Sequence, residues 1–129
     1  MHLDLITLIN ASEAVTNLAG DRITWQRAAQ APAATAPYAV IVRTSGALGF
    51  AHDGLSSLDT ARLQIDCFAP TFAQADALRT AITDAICGQV GVTGSTDFRA
   101  ITPNSPRDFE PVNNIHRCLA DITVTYRPA

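Results

Sequence analysis

The first segment of the chain has the apolar spacing of an amphipathic helix. Apolar residues recur at intervals of three and four, at Leu5, Leu8, Ala11, Val15 and Leu18. This spacing places them on one helix face, and Gly20 is well placed to end the helix. We therefore expect one helix before residue 20, followed by a short strand at residues 22–25.

Two strands are predicted next, each followed or preceded by a loop. Residues 38–44 are rich in Val and Ile, and residues 61–67 alternate between apolar side chains and polar ones. Such a period of two indicates a half-buried strand. The Ala-rich residues 26–36 are expected to form a loop or an extended arm. Residues 45–59, which contain three glycines, are expected to form a long hairpin loop.

A second helix is predicted after Pro70. Thr71 and Gln74 have the spacing of a capping box, and Gly88 is expected to end the helix. Asp76 and Arg79 fall on the predicted solvent face. The predicted core stripe comprises Phe72, Ala75, Leu78, Ile82, Ala85 and Ile86.

The last third of the chain is predicted to contain two strands and two loops. Residues 88–96 read as a Gly-rich loop, and residues 97–102 as a short strand. Three prolines and three asparagines predict a second long loop at residues 103–114. Alternation of apolar and polar side chains predicts a final strand at residues 115–126.

These elements predict an α+β fold: a mainly antiparallel β-sheet with two helices packed on one face. The expected order is helix, three strands, helix and two strands. A length of 129 residues predicts one domain over residues 1–129.

Charge and composition narrow the range of possible functions. Twelve acidic residues outnumber nine basic ones, giving a net charge of −3. Proteins that grip DNA usually carry a basic patch, so we expect no specific DNA binding. All nine basic residues are arginine, which excludes a P-loop lysine and a Schiff-base lysine.

The cysteines and the apolar runs indicate where the protein works. Cys67, Cys87 and Cys118 are odd in number and lack paired spacing, so we expect buried thiols in a reducing compartment. We expect no signal peptide and no membrane-spanning segment. The protein is expected to act in the cytoplasm or in a particle assembled there.

Three candidate sites for chemistry have simpler interpretations. Residues 88–96 lack the lysine of a phosphate-binding loop and read as an ordinary loop. His116 and Cys118 share a strand face but form only one pair of metal ligands, which favours a core cysteine beside a polar or interfacial histidine. His52 and Asp53 could form a general base, but no motif supplies a nucleophile. We expect no catalytic residue, no metal and no cofactor.

The polar face of the predicted sheet has two interpretations. It carries Arg62, Asp66, Arg117 and Asp121. Opposite charges on neighbouring strands can pair there. The face is either solvated or covered by another protein, because helices on one side leave the other side open. The sequence leaves both interpretations open.

Four segments, in this order along the chain, carry a resemblance to a known family. They are Arg22-Ile23-Thr24-Trp25, Pro37-Tyr38-Ala39-Val40-Ile41, the strand Arg62-Leu63-Gln64-Ile65-Asp66-Cys67-Phe68-Ala69 with its Ala-rich helix, and the strand from Arg117 to Tyr126-Arg127. Together they resemble the small tail-completion, or tail-terminator, proteins of long-tailed phages, prophages and gene transfer agents.

The resemblance implies a structural virion protein without enzymatic activity. Such proteins form a ring, usually a hexamer, at the head-proximal end of the tail. The ring stops polymerisation of the tail tube and joins the tail to the head connector, and double-stranded DNA passes through its lumen without specific binding. The expected partners are further copies of the chain, the tube protein and the connector or stopper protein.

The long loops are expected to supply the contacts of such a ring. An exposed aromatic side chain on a loop favours contact with a partner. The candidate interface residues are Arg43, Phe50, His52 and Phe109.

Three alternatives remain open from the sequence. The chain could be a head-completion or stopper subunit of the neck. It could be an α+β domain that binds a small molecule, although its titratable residues are scattered. It could also be a chaperone or regulator that is absent from the particle.

Overall fold

A computed structural model of the protein describes residues 1–20, 22–25, 37–47 and 58–129. The prediction for residues 26–36 lies outside this part of the chain. The loop predicted at residues 45–59 is wrong at its two ends, since residues 45–47 and 59 belong to strands, and its residues 48–57 lie outside the described part. The described elements are α1 (His2–Asn10), α2 (Glu13–Ala19), β1 (Ile23–Trp25), β2 (Tyr38–Ala47), β3 (Asp59–Ala69), α3 (Phe72–Ile86), β4 (Gly91–Thr93), β5 (Thr96–Pro103), β6 (Arg107–Val112) and β7 (Ile115–Pro128).

The strands form one sheet in the order β1-β2-β3-β7-β5-β4, and β6 also pairs with β7. Strands β1 and β2 are parallel, and all other pairs are antiparallel. The α+β class and the mainly antiparallel sheet are therefore confirmed. The described residues form three helices, not the two that we predicted.

The hydrophobic core lies between the described helices and one face of the sheet, with α3 covering its centre on β3 and β7. The predicted alternation in β3 and β7 is confirmed, because every second side chain is buried from Ala61 to Ala69 and from Cys118 to Val124. Each buried aliphatic side chain contributes roughly 1.5–3 kcal/mol through the hydrophobic effect. The core residues of these three elements include Ala61, Leu63, Ile65, Cys67, Leu78, Ile82, Ile86, Ala120, Ile122 and Val124.

Helix α3 begins as its sequence predicts. The Oγ1 atom of Thr71 accepts a hydrogen bond of 3.2 Å from the backbone N–H of Gln74, and Gly88 follows the helix with a φ of +85°. The prediction for Phe72 is wrong, since this residue is 40% exposed. It lies in the first turn of α3, where its ring lines a surface cavity beside Phe109 rather than packing onto the centre of the sheet.

The predicted N-terminal helix is divided into two. The amide groups of Ala11 and Ser12 bond back to the carbonyl groups of Thr7 and Ile9. Ser12 then adopts an extended conformation as the N-cap of α2. The change of direction buries residues of both helices, at Leu5, Ile9, Val15 and Ala19.

The two predicted C-terminal loops both contain strands, so these predictions are wrong in part. Residues 91–93 form β4, and residues 107–112 form β6. Asn113 and Asn114 have φ angles of 52° and 63°, and their neighbours Val112 and Ile115 are paired. A two-residue turn with positive φ at both positions is typical of a tight β-hairpin, for which Asn is well suited.

Helix α1 is fixed to the turn between β4 and β5 by Asp4. Its carboxylate accepts hydrogen bonds from the hydroxyl groups of Thr96, at 2.6 Å, and Ser95, at 3.3 Å, and from the Ser95 amide. The Thr96 hydrogen bond is the main cause that lowers the pKa of Asp4. Gly94 has a φ of +60°, and a Cβ atom there would lie 2.1 Å from Oδ1 of Asp4.

We expect Gly94→Ala to destabilise the protein more than Gly88→Ala. Both residues have positive φ, which costs a non-glycine residue about 1–3 kcal/mol. Only at Gly94 would the new Cβ atom also displace a hydrogen-bonded carboxylate. Urea unfolding measures the two losses, and equal losses would show that the Asp4 contact contributes nothing.

We expect Asp4→Asn to reduce the loss of folding stability that occurs as the pH falls. The lowered pKa of Asp4 means that its ionised form contributes stability above its ordinary value of 3.8. That contribution is lost as the pH falls through the folded-state pKa. Thermal melting between pH 6 and pH 2 should show a smaller acid loss for the variant, and identical profiles would contradict the assignment.

Candidate interaction surface on the open face of the sheet

The face of the sheet opposite α3 carries an aromatic row across four strands. Tyr38 of β2 pairs with Phe68 of β3, Phe68 pairs with Arg117 of β7, and Arg117 pairs with Phe109 of β6. Side chains at paired positions lie on the same face of a sheet. We call these four residues the aromatic row.

The members of the aromatic row contact one another directly. The rings of Tyr38 and Phe68 are stacked, with centroids 4.8 Å apart and planes inclined by 12°. The guanidinium carbon of Arg117 lies 4.2 Å from the Phe109 ring centroid and 5.9 Å from that of Phe68. Each close cation–π contact contributes about 0.5–2 kcal/mol, so these contacts favour the observed arrangement of the row.

Asp66 holds Arg117 in place from the neighbouring strand. Its Oδ1 atom accepts hydrogen bonds from Nε and Nη2 of Arg117 at 3.1 and 3.0 Å. The Asp66 side chain is 12% exposed and that of Arg117 is 34% exposed. A charge pair of this kind is stronger than a solvent-exposed one because water screens it less.

The aromatic row lines an open groove of about 580 Å³ at the tip of the hairpin formed by β6 and β7. Glu110, Val112, Asn113 and Ile115 complete its walls. Val112 is 69% exposed. Burial raises the pKa of Tyr38. Exposed apolar surface beside aromatic and arginine side chains is typical of the centre of a protein–protein interface.

Farther from the hairpin tip, the open face carries a second ion pair. Nη2 of Arg62 lies 2.7 Å from Oδ2 of Asp121. The pKa of Asp121 is lowered, mainly by the hydrogen bond from Arg62. The side-chain amide of Asn104 also donates to Asp121. The predicted charges on this face therefore pair across neighbouring strands.

The candidate interface residues lie in different parts of the molecule. Phe109 is a member of the aromatic row. Arg43 is exposed and pairs with the core residue Leu63, so it lies on the α3 side of the sheet and away from Phe109. Phe50 and His52 lie outside the described residues.

The sequence contained a signal for the aromatic row that we missed. Phe68 falls on the polar phase of the alternation in β3, together with Arg62, Gln64 and Asp66. A large apolar residue on an otherwise polar strand face indicates a contact surface. Its partner Tyr38 could be found only from the strand register.

The cysteines belong to the core. Cys67 pairs with Cys118 on adjacent strands, both are buried, and Cys87 is half-buried. Burial raises the pKa of all three thiols. His116 lies on β7 opposite Ala69. Within the described ranges, no cluster of three or more His, Cys, Asp or Glu side chains could bind a metal.

None of the described helices combines the length and the apolar character that crossing a membrane requires.

We expect Asp66→Ala to cost more stability than Arg62→Ala. The first substitution leaves the partly buried Arg117 without its carboxylate, which costs about 1–3 kcal/mol. The second removes an ion pair whose arginine is 55% exposed, a loss of about 0.2–1 kcal/mol. Urea unfolding of the two variants measures the difference, and the reverse order would contradict the role assigned to Asp66.

The fold is similar to that of a chain in a solved virion structure. A chain in a solved structure described as the virion of a native gene transfer agent particle superposes with a TM-score of 0.73. It is 15% identical, and the match covers 97% of this chain and 92% of that chain. At this identity the similarity shows the fold.

The family follows from a match along the sequence. No curated protein matches the chain. The family model described as Tail completion protein gp17 matches residues 4–127, from Asp4 in α1 to Arg127 near the end of β7. The chain belongs to the tail completion protein gp17 family and is a structural protein of a virion tail.

Proposed function

We propose that the chain forms a homo-oligomeric ring, with six copies, at the head-proximal end of the tail. The ring terminates polymerisation of the tail tube and joins the tail to the head connector. Membership of a tail completion family supports this role. The observation that carries it is the aromatic row, which gives one end of the open sheet face the chemistry of a protein contact.

The distribution of charge supports contact through this end of the face. The ion pairs Arg62–Asp121 and Arg117–Asp66 are closed within the chain. If these ion pairs broke and formed again with a partner's charges, the free energy of binding would gain little. Aromatic and apolar side chains that are already ordered give a partner more contact energy at a lower cost in conformational entropy. Phe109 is therefore the proposed contact residue for the tube protein or the connector.

The other candidate residues complete the proposed contacts. Arg43 lies at the opposite edge of the sheet from Phe109, so one subunit has two separate contact regions. A ring with cyclic symmetry needs two different surfaces on each subunit. Phe50 and His52 are proposed to contribute to the contacts between subunits or to the tube.

The net charge of −3 fits a passage for DNA. A weakly acidic ring repels phosphate groups, so double-stranded DNA passes without specific binding. We also propose that the protein has no enzymatic activity and needs no cofactor. In support, many of the charged side chains that the structure describes form ion pairs along the sheet, such as Arg62–Asp121 and Arg117–Asp66, which is not the arrangement of a catalytic cluster.

Phe109→Ala tests the contact role of the aromatic row. Heads and tails made without this protein should join when the wild-type protein is added. We expect the Phe109→Ala variant to join about tenfold fewer of them, because the central aromatic anchor of the contact is lost. Val92→Ala is the matched control, since Val92 is 64% exposed on β4 at another edge. Electron microscopy counts joined and unjoined tails, and thermal melting confirms that both variants fold.

Normal joining by Phe109→Ala would remove the aromatic row from the proposed contact. A separate result bears on the whole role. Tails of normal length that join heads without this protein, or purified particles that lack it by mass spectrometry, would contradict the proposed function.

A further inference from the structure

One cross-strand row spans the sheet from edge to edge on the α3 side. Arg43 of β2 pairs with Leu63, Leu63 pairs with Ile122, and Ile122 pairs with Pro103 of β5. Among the described residues, β1 pairs with β2 only as far as Ile41. In this part of the chain Arg43 therefore lies at one edge of the sheet, and Pro103 lies at the same level near the other edge.

Arg43 is an exposed cation without a partner among the described residues. Five other described arginines form ion pairs with carboxylates, as in Arg62–Asp121, Arg79–Asp76 and Arg117–Asp66. Within the described residues, no ion pair or side-chain hydrogen bond involves the guanidinium group of Arg43. Its position at the edge leaves it available to a neighbouring molecule.

A cavity of about 250 Å³ lies at the Pro103 end of this row. It forms where the chain leaves the sheet between β5 and β6, and α3 provides its second wall. Two carboxylate residues, Asp84 and Asp121, take part in its lining. The one arginine of the lining, Arg79, already pairs with Asp76 and Asp108. The carboxylate of Asp121 pairs with Arg62 on the open face, so Asp84 supplies the unpaired charge of the lining.

Asp84 is the carboxylate of this cavity that remains open. Asp121 accepts hydrogen bonds from Arg62 and Asn104. Asp84 is exposed on α3, and among the described side chains it has no ion-pair partner. The cavity therefore presents an unpaired carboxylate near one end of the cross-strand row, and the unpaired Arg43 lies at the other end.

We infer that Arg43 of one copy enters this cavity of the adjacent copy and pairs with Asp84. The inference rests on the proposed ring and specifies its contact between subunits. Closed cyclic symmetry joins one surface of a subunit to a different surface of the next. Arg43 and Asp84 have opposite charge, lie at opposite edges, and lie on the same side of the sheet.

The occupant of the cavity is a second copy rather than the same chain. Helix α3 packs on β3 and β7, and these strands separate Arg43 from the far edge. A planar guanidinium group suits a carboxylate in a partly enclosed site, because it can donate two parallel hydrogen bonds. Pro103, Asn104 and Pro106 would surround its aliphatic part.

A charge-reversal cycle tests this contact. We expect Arg43→Glu and Asp84→Arg each to raise the protein concentration needed to cap half of the tube ends by about tenfold or more, because like charges then face each other. The double variant should return close to the wild-type value. Glu13→Arg is the matched control, since it reverses an exposed carboxylate on α2. Negative-stain electron microscopy counts the capped ends.

The outcomes separate the two proposals. Wild-type protein that forms rings, with single reversals that cap as well as wild type, would overturn the Arg43–Asp84 contact and leave the ring intact. Loss in both single variants without recovery in the double variant would also overturn the pairing. Wild-type protein that never caps a tube would contradict the proposed function itself.

Discussion

The pairing of β3 with β7 is the interaction on which the rest of the structure depends. All eleven residues of β3 pair with β7, and the side chains of both strands alternate between the two faces. One face supplies the core beneath α3, from Ala61 to Cys67. The other carries Asp66, Phe68 and Arg117. A slip of one residue would exchange the two faces and expose the core.

This register links stability to the contact surface. Arg117 lies between the two rings of Phe68 and Phe109 because all three residues fall in one row. Asp66, which precedes Phe68 on the same face of β3, orients the guanidinium group of Arg117 through hydrogen bonds. The side chains of the aromatic row thus contact one another within the chain before any partner binds, and such an arrangement reduces the entropy cost of association. Surface chemistry that is fixed by the sheet suits a subunit of an assembly.

The sequence predicted the parts of the fold that depend on local patterns. Alternation in β3 and β7 and the Thr71 cap of α3 are confirmed. It did not reveal β6, because prolines at 106 and 111 and a polar composition favour a loop. Pairing with β7 and the turn at Asn113 make this segment a strand. The aromatic row needs four strands in register, so it depends on contacts that are distant in sequence.

The central claim is that the open face and the two sheet edges meet other proteins in an assembled tail. A cryo-electron microscopy reconstruction of the head-proximal tail end, with this chain in place, tests it most directly. The account predicts a closed ring in which Phe109 is buried against the tube protein or the connector and Arg43 is buried against the neighbouring copy. A reconstruction in which both side chains are exposed to solvent would contradict it.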